Sequence, residues 1–239
     1  MTLGRRLTGE GVGTALLLAG VVGSGIMGER LAGGNVALAL LANTLATGAI
    51  LVALIVTFGP ISGAHFNPAV TMADALLGGL SWRDVPGYVA VQVGGAFAGV
   101  ASAHLMFEEP LFALSHHTRS GLPQLWSEFV ATLGLLAVIR GGMRQRSAAL
   151  PFAVGAYIAA AYWFTASTSF ANPAVTMARA LTDTFVGIRP SDVPGFIVAQ
   201  LLGAAAATGL FRWLVPTPSA VVSRTVADQG QLARGGGRV

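Results

Sequence analysis

The sequence predicts an all-α integral membrane protein in which six transmembrane helices and two re-entrant half-helices form an inverted repeat. Three observations support this prediction. Of the 239 residues, 54% are hydrophobic and only 10% are charged, whereas a soluble domain carries roughly 25% charged residues. Apolar runs of membrane-spanning length recur along the chain. One ten-residue stretch also occurs twice, at Asn67–Leu76 and Asn172–Leu181, with nine identical residues.

Six apolar runs approach the ~20 residues that a helix needs to cross ~30 Å of hydrocarbon. They cover about residues 8–28, 35–58, 86–107, 125–141, 150–167 and 193–214. The runs that begin at Asn67 and Asn172 are apolar for about ten residues only. Such a run makes ~15 Å of helix, so each is predicted to cross half of the bilayer. The segment 215–239 is rich in Gly, Ser, Arg and Pro, which predicts a disordered cytoplasmic tail.

The basic residues predict the orientation of the chain. All 14 are arginines, and most of them lie in the connections between apolar runs or in the tail. If the N-terminus is cytoplasmic, ten arginines fall on the cytoplasmic side and four on the other, as the positive-inside rule requires. We therefore expect a multi-pass protein of the inner (plasma) membrane, with both termini in the cytoplasm. Arginine usage without lysine is typical of a GC-rich bacterial genome, and no nucleic-acid partner is predicted.

The repeated stretch belongs to a longer repeat within one domain, residues 1–214. The two copies are predicted at about 5–108 and 124–214, and Asp84–Gly87 returns in the second copy as Asp192–Gly195. Three spanning runs separate the two Asn-Pro-Ala motifs. Because this number is odd, the two half-helices enter the membrane from opposite sides. Inverted repeats of this kind place the functional path near the bilayer midplane.

The Asn-Pro-Ala motifs are typical of helix starts. Asparagine is a strong N-cap, and proline is favoured at the first helical position. The asparagine NH2 group then remains as a donor, and the positive ends of two helix dipoles meet at the midplane and repel cations. The predicted motif residues are Asn67, Pro68, Ala69, Asn172, Pro173 and Ala174.

Irregular backbone must precede each half-helix. At membrane depth such backbone is tolerated only where it is buried in protein or lines a wet cavity. Its carbonyls therefore predict a polar path, formed by Gly63, Ala64, His65, Phe66, Thr168, Phe170 and Ala171. His65 is expected either to line the inner mouth of this path or to pack within its loop.

Glu10 and Glu128 are ionisable residues inside membrane segments, at equivalent positions of the two halves. Intramembrane carboxylates often belong to proton relays. Their paired placement favours another role, in which each accepts hydrogen bonds from the loop of its own half. The chain has no cysteine, and no nucleophile, acid–base pair or metal-ligand cluster stands out. We therefore predict neither an enzyme nor a metal or other cofactor.

Together, these residues resemble the aquaporin, or major intrinsic protein, family. The resemblance lies in Ile61–Val70, in Ser169–Ala174 and in the two glutamates, and it covers about residues 5–214. It implies a homotetramer in lipid, with a passive pore for water and small uncharged solutes in each protomer. An ion- or proton-coupled transporter with an inverted-repeat fold is the alternative. A non-conducting membrane protein is a third possibility.

The chain departs from the family at the outer filter. Most members carry an arginine directly after the second motif, where this chain has Val175. The resemblance also places Thr47, Ala160 and Ser169 at the filter, with Ala160 uncertain by one turn. A filter of these residues has no charge, no aromatic ring and little bulk, and it predicts passage of glycerol-like solutes. Valine at this position also resembles a bacterial branch associated with metalloid hydroxides such as arsenite.

Arg179 lies four residues beyond Val175, on the same helix face. It either replaces the missing charge of the filter or lies at the helix end or on the protein surface, and we favour the second interpretation.

Overall fold

The computed structural model describes residues 1–144 and 148–214, and every regular element in these two ranges is helical. The predicted tail, 215–239, lies outside the described residues. A 3-10 turn, Pro190–Asp192, precedes the last helix. The helices are α1 (Leu3–Leu31), α2 (Val36–Ser62), α3 (Pro68–Leu76), α4 (Val85–Phe107), α5 (Leu122–Arg144), α6 (Leu150–Phe164), α7 (Pro173–Arg179) and α8 (Val193–Leu214).

The described helices match the predicted all-α membrane architecture, with one difference in length. Five of them, α1, α2, α4, α5 and α8, are long and apolar enough to cross a membrane. The run expected to span 150–167 is shorter, because α6 has 15 residues and ends at Phe164. Its cap, Thr165, is already extended, with φ −111° and ψ 139°, since the irregular loop towards Asn172 begins there. The helices α3 and α7 have 9 and 7 residues and are half-spanning, as predicted.

The order helix, helix, half-helix, helix occurs twice along the chain. In the first half α1 packs against α4, and in the second half α5 packs against α8. The two halves join where α2 packs against α6. The half-helices α3 and α7 contact each other, and each also packs against both α4 and α8. The helix starts at Pro68 and Pro173 are therefore brought together in the interior.

Glycines allow the spanning helices to approach closely. A Cβ atom on Gly99 of α4 would meet the Ala15 carbonyl of α1, and Gly95 makes the same kind of approach one turn earlier. In the second half, a Cβ atom on Gly203 of α8 would meet the Phe129 carbonyl of α5. This close packing brings α1 and α5, which carry the two buried glutamates, near the interior loops.

We expect Gly99→Val to lower the melting temperature of the purified protein, because α4 must move away from α1. Overpacking of this kind costs ~1–3 kcal/mol or more. Gly94→Val is the matched control, since a Cβ atom there meets nothing within 4 Å. Thermal unfolding in detergent, followed by size-exclusion chromatography, measures both variants. Equal melting temperatures for the two variants would contradict this account of the α1–α4 contact.

Candidate functional site

Each half-helix begins at an asparagine cap. Asn67 and Asn172 have extended backbone, with φ −156° and −158°, and a proline follows each as the first helical residue. The Oδ1 atom of Asn67 accepts a hydrogen bond from the Ala69 N–H at 2.9 Å. The Oδ1 atom of Asn172 accepts one from the Ala174 N–H at 3.0 Å. Both motifs therefore adopt the geometry that favours a helix start.

The two caps are tied to each other's loops. The Nδ2 atom of Asn67 donates to the Ala171 carbonyl at 2.7 Å, and Nδ2 of Asn172 donates to the Phe66 carbonyl at 2.7 Å. The sequence suggested wholly free NH2 donors, but one hydrogen of each group is used in this exchange. The second hydrogen remains for a ligand. The reciprocal bonds hold the two positive helix ends tip to tip.

The loops before the caps have unusual backbone geometry. Residues other than glycine rarely adopt positive φ, and such strain persists only where the surroundings enforce it. The loop residues with positive φ are Ala64 (51°), Phe66 (49°), Thr168 (61°), Ser169 (50°) and Ala171 (47°), together with Gly63 (94°). Both loops must therefore be held by specific contacts.

Glu10 supplies these contacts in the first half and is fully buried. Its Oε1 atom accepts from the His65 N–H at 2.9 Å and from the Ser62 hydroxyl at 2.7 Å. Its Oε2 atom accepts from the Phe66 N–H at 2.7 Å and from Gln92 Nε2 at 2.8 Å. Every partner is an N–H or O–H donor on or beside the loop, which favours bracing over a proton relay.

Glu128 has the same relation to the second loop. It accepts from the N–H groups of Phe170 at 2.9 Å and Ala171 at 2.8 Å, and from Gln200 Nε2 at 2.6 Å. Gln92 and Gln200 occupy equivalent positions in the two repeats, each eight residues after the repeated aspartate, and the sequence alone did not indicate their role. In the structure each glutamine connects a buried glutamate to its half-helix, since Gln200 also donates to the Thr176 hydroxyl at 2.8 Å.

A cavity of about 110 Å³ passes the point where the half-helices meet. The irregular loops contribute part of its lining, and most of the remaining wall is aliphatic. Gly63 and Thr168 do not line it, although both were predicted to. The predicted residues that do line it are Thr47, Ala64, His65, Phe66, Asn67, Ser169, Phe170, Ala171, Asn172 and Val175.

The prediction that Ala160 lines the filter is wrong. Ala160 is exposed on the outer face of α6 and is not part of the cavity wall. Ile158 and Tyr162, two residues to either side, line the cavity instead, because residues two apart on a helix face different directions. The Tyr162 hydroxyl donates to Thr47 Oγ1 at 3.3 Å. The number of residues in the irregular loop before Asn172 does not fix the helical register of α6, so the family resemblance did not locate this face.

Arg179 lies at the end of α7, which agrees with one part of the favoured interpretation. It is not at the protein surface, which was the other part. It is 2% exposed and lines the cavity. Its Nε atom donates to the Val186 carbonyl, and its guanidinium carbon lies 3.4 Å from the centroid of the Phe170 ring. With Phe66 and Tyr162 also present, the cavity wall carries three phenyl or phenol rings and a guanidinium. The expectation of a filter without charge or aromatic rings is corrected accordingly.

His65 combines both roles that the sequence left open. It lines the cavity, and its Nδ1 atom lies 3.2 Å from Thr71 Oγ1 within the same half. Its Nε2 atom lies 3.7 Å from Asp74 Oδ2. The Asp74 carboxylate also pairs with Arg140 Nη1 at 3.5 Å. This cluster marks the end of the cavity opposite to Arg179.

An apolar helical chain in which two half-helices meet at an internal cavity is typical of a membrane transport protein. The chain belongs to the major intrinsic protein family, since the family model described as "Major intrinsic protein" matches residues 1–169 and 140–235. It is thus a multi-pass channel for water and small solutes and not an enzyme, and the coupled-transporter alternative is not favoured.

Individual relatives agree with this assignment. Aquaglyceroporin AqpS of Rhizobium meliloti is 56% identical over 223 residues, which cover 93% of this chain and 95% of the relative. Aquaporin NIP1-3 of Oryza sativa subsp. japonica is 34% identical over 66% of this chain, and the match covers 57% of that protein. The X-ray structure of the aquaglyceroporin from Plasmodium falciparum has the same fold, with a TM-score of 0.71, 19% identity and coverage of 92% of this chain and 100% of that one.

We expect Glu128→Gln to lower both thermal stability and water flux. The new amide group places its own N–H donors against the N–H groups of the loop, and each unsatisfied buried donor costs ~1–3 kcal/mol. Glu108→Gln makes the same chemical change on an exposed glutamate and is the control. Melting temperature in detergent and stopped-flow water flux test the pair. A Glu128→Gln protein indistinguishable from the control would refute the bracing role.

Proposed function

We propose that this channel passes water and small neutral hydroxylated solutes of the glycerol type, including metalloid hydroxides such as arsenite. One observation carries the proposal: the cavity at the half-helix tips has mostly aliphatic walls and a few fixed polar groups, with valine at the position after the second motif. The 56% identical relative is named an aquaglyceroporin, which supports the same solute class.

The polar groups suit a hydroxylated solute. Asn67 and Asn172 each retain one N–H donor, and Ser169 adds a hydroxyl in the same wall. Aliphatic side chains such as Leu51 and Val175 form other parts of the wall. A polyol presents hydroxyl groups to the polar side chains and C–H groups to the aliphatic side chains. The cavity therefore replaces most of the hydrogen bonds that the polyol makes with water. An ion would lose far more hydration free energy on entering the same cavity.

The half-helix tips should exclude cations. Each helix N-terminus carries roughly half a positive charge, and the reciprocal asparagine bonds hold the two tips together. A cation that passes between them loses hydration and meets positive potential from both sides. We therefore propose that flux follows the gradient of neutral solute alone, without coupling to protons.

The setting of the channel is proposed on separate grounds. The arginine distribution supports an inner membrane with both termini cytoplasmic, and the family supports a homotetramer embedded in lipid. The repeats at about 5–108 and 124–214 supply the two half-helices, each from its own side of the membrane. Glu10 and Glu128 then serve as the equivalent braces of the two repeats.

Proteoliposomes should take up water, glycerol and arsenite faster than protein-free liposomes of the same lipid, as measured by stopped-flow light scattering. The rates should not change when a proton gradient is imposed, because no step requires proton movement. Water flux alone, with glycerol and arsenite excluded, would show that the pore is narrower than proposed. Uptake driven by the proton gradient would instead revive the coupled-transporter alternative.

Val175→Arg should lower glycerol and arsenite entry about tenfold, which needs only ~1.4 kcal/mol of added barrier. Water flux should fall much less, since the same narrowing of the path hinders glycerol and arsenite more than the smaller water molecule. Val175→Leu adds bulk without charge and separates the two effects. If Val175→Arg leaves the permeation of all three solutes unchanged, Val175 does not lie at the constriction.

A further inference from the structure

We propose that Arg179 and Ser169 form a binding site for solute hydroxyl groups at the outer end of the cavity, and that Arg179 sets cation exclusion there. This inference rests on the proposed channel function and adds two residues with assigned roles to it. The family resemblance placed Ser169 at the filter, whereas the sequence favoured a helix-end or surface position for Arg179.

The position of Arg179 allows it to reach the loop. It is the last residue of α7, one turn beyond Val175, and both residues line the cavity. Side chains on a helix tilt towards its N-terminus, so the Arg179 side chain extends back towards the loop. Its guanidinium carbon accordingly lies 3.4 Å from the Phe170 ring centroid, and Phe170 is two residues before the cap Asn172. The charge is therefore beside the pore loop.

The guanidinium of Arg179 is hydrogen-bonded to and stacked on neutral groups only. Its Nε atom donates to the Val186 carbonyl, and its flat face contacts Phe170. Among the described residues, no carboxylate lies within ion-pair distance of it, and its Nη atoms have no hydrogen-bond partner. A buried charge requires hydrogen bonds, so these N–H donors are left for oxygen atoms inside the cavity.

A second guanidinium strengthens the positive potential at this end. The guanidinium carbon of Arg119 lies 5.0 Å from the same Phe170 ring centroid. Arg119 donates to the carbonyls of Gly187 at 2.8 Å and Ser167 at 3.1 Å. These partners are also neutral, and in the described part of the chain neither guanidinium forms an ion pair, although the buried Glu128 carboxylate attracts both.

The buried, unpaired hydroxyl group of Ser169 also indicates a bound ligand. It is 3% exposed, lines the cavity, and its Oγ atom has no hydrogen-bond partner among the described residues. Buried hydroxyls are nearly always hydrogen-bonded, and an unpaired one calls for a bound partner. A solute hydroxyl both donates and accepts, so it can bond Ser169 Oγ and the Arg179 N–H groups. Neutral molecules with several hydroxyls fit this site, and cations do not.

The inner end of the cavity carries a different charged residue at the repeat position equivalent to Arg179. Asp74 replaces Arg179 in the repeated stretch, and it pairs with Arg140 at 3.5 Å and lies 3.7 Å from His65 Nε2. The inner charges therefore compensate one another, whereas the outer ones do not. Arg179 should consequently add to the cation exclusion at the half-helix tips, whereas the inner end should not.

Proteoliposome flux of methylammonium, glycerol and water tests the site, with Arg179→Gln, Arg179→Lys and Ser169→Ala. We expect Arg179→Gln to raise methylammonium entry at least about fivefold, because a nearby unit charge is removed from a poorly screened site. Arg179→Lys should keep methylammonium excluded. Ser169→Ala should lower the ratio of glycerol to water flux. Arg30→Gln removes an arginine that is half exposed and paired with Glu109, and it serves as the control for surface charge.

The outcomes separate the two proposals. A wild-type protein that passes neither water nor glycerol refutes the channel function itself. A conducting wild type with unchanged methylammonium exclusion in folded Arg179→Gln, and an unchanged flux ratio in Ser169→Ala, refutes only the binding site. Folding is checked by size-exclusion elution and melting temperature. If Arg179→Gln does not fold, Ser169→Ala decides: a wild-type flux ratio overturns the site, and a lower ratio supports it.

Discussion

The structure depends on the hydrogen bonds that two buried carboxylates accept from irregular backbone. In a membrane interior no bulk water is present to pair exposed N–H groups, so a non-helical loop there needs internal partners. Glu10 and Glu128 provide them, each accepting two backbone N–H groups of one loop. A carboxylate has two oxygens and several acceptor positions. One side chain therefore holds two consecutive peptide groups while it also accepts from a glutamine that fixes the neighbouring half-helix.

Once the loops are fixed, the remaining geometry of the interior follows. The loops set the directions of Asn67 and Asn172, and these asparagines bond across to the opposite loops. The two halves are thereby joined at their functional centre as well as through the α2–α6 contact. Glycines such as Gly99 bring α1 and α4 close enough for Glu10 to reach its loop. Packing of the outer helices and polar bonding of the interior thus support each other.

The repeated scaffold carries different chemistry at its two ends. The same helix position holds Asp74 at one end, close to compensating groups, and Arg179 at the other, with neutral partners. The repeated fold fixes the backbone positions, while single residue differences between the two repeats set the charge at each end of the cavity. Under the proposed function, a neutral solute would pass both ends at little electrostatic cost, whereas a cation would meet the half-helix dipoles at the centre and guanidinium charge beyond them.

The order of residues along the chain was enough to predict the membrane class, the half-helices, the caps at Asn67 and Asn172 and the pairing of Glu10 with Glu128. These features depend on local propensity, run length and the repeat that is visible in the sequence. The sequence placed Thr47, Ser169 and Val175 in the cavity wall by resemblance. Only the tertiary structure decided that Tyr162 and not Ala160 faces the cavity, that α6 ends at Phe164, and that Arg179 is buried beside Phe170. The physical reason is the same in each case. The irregular loop between α6 and α7 sets helix register and side-chain reach through three-dimensional contacts, and the spacing of residues along the chain does not encode them.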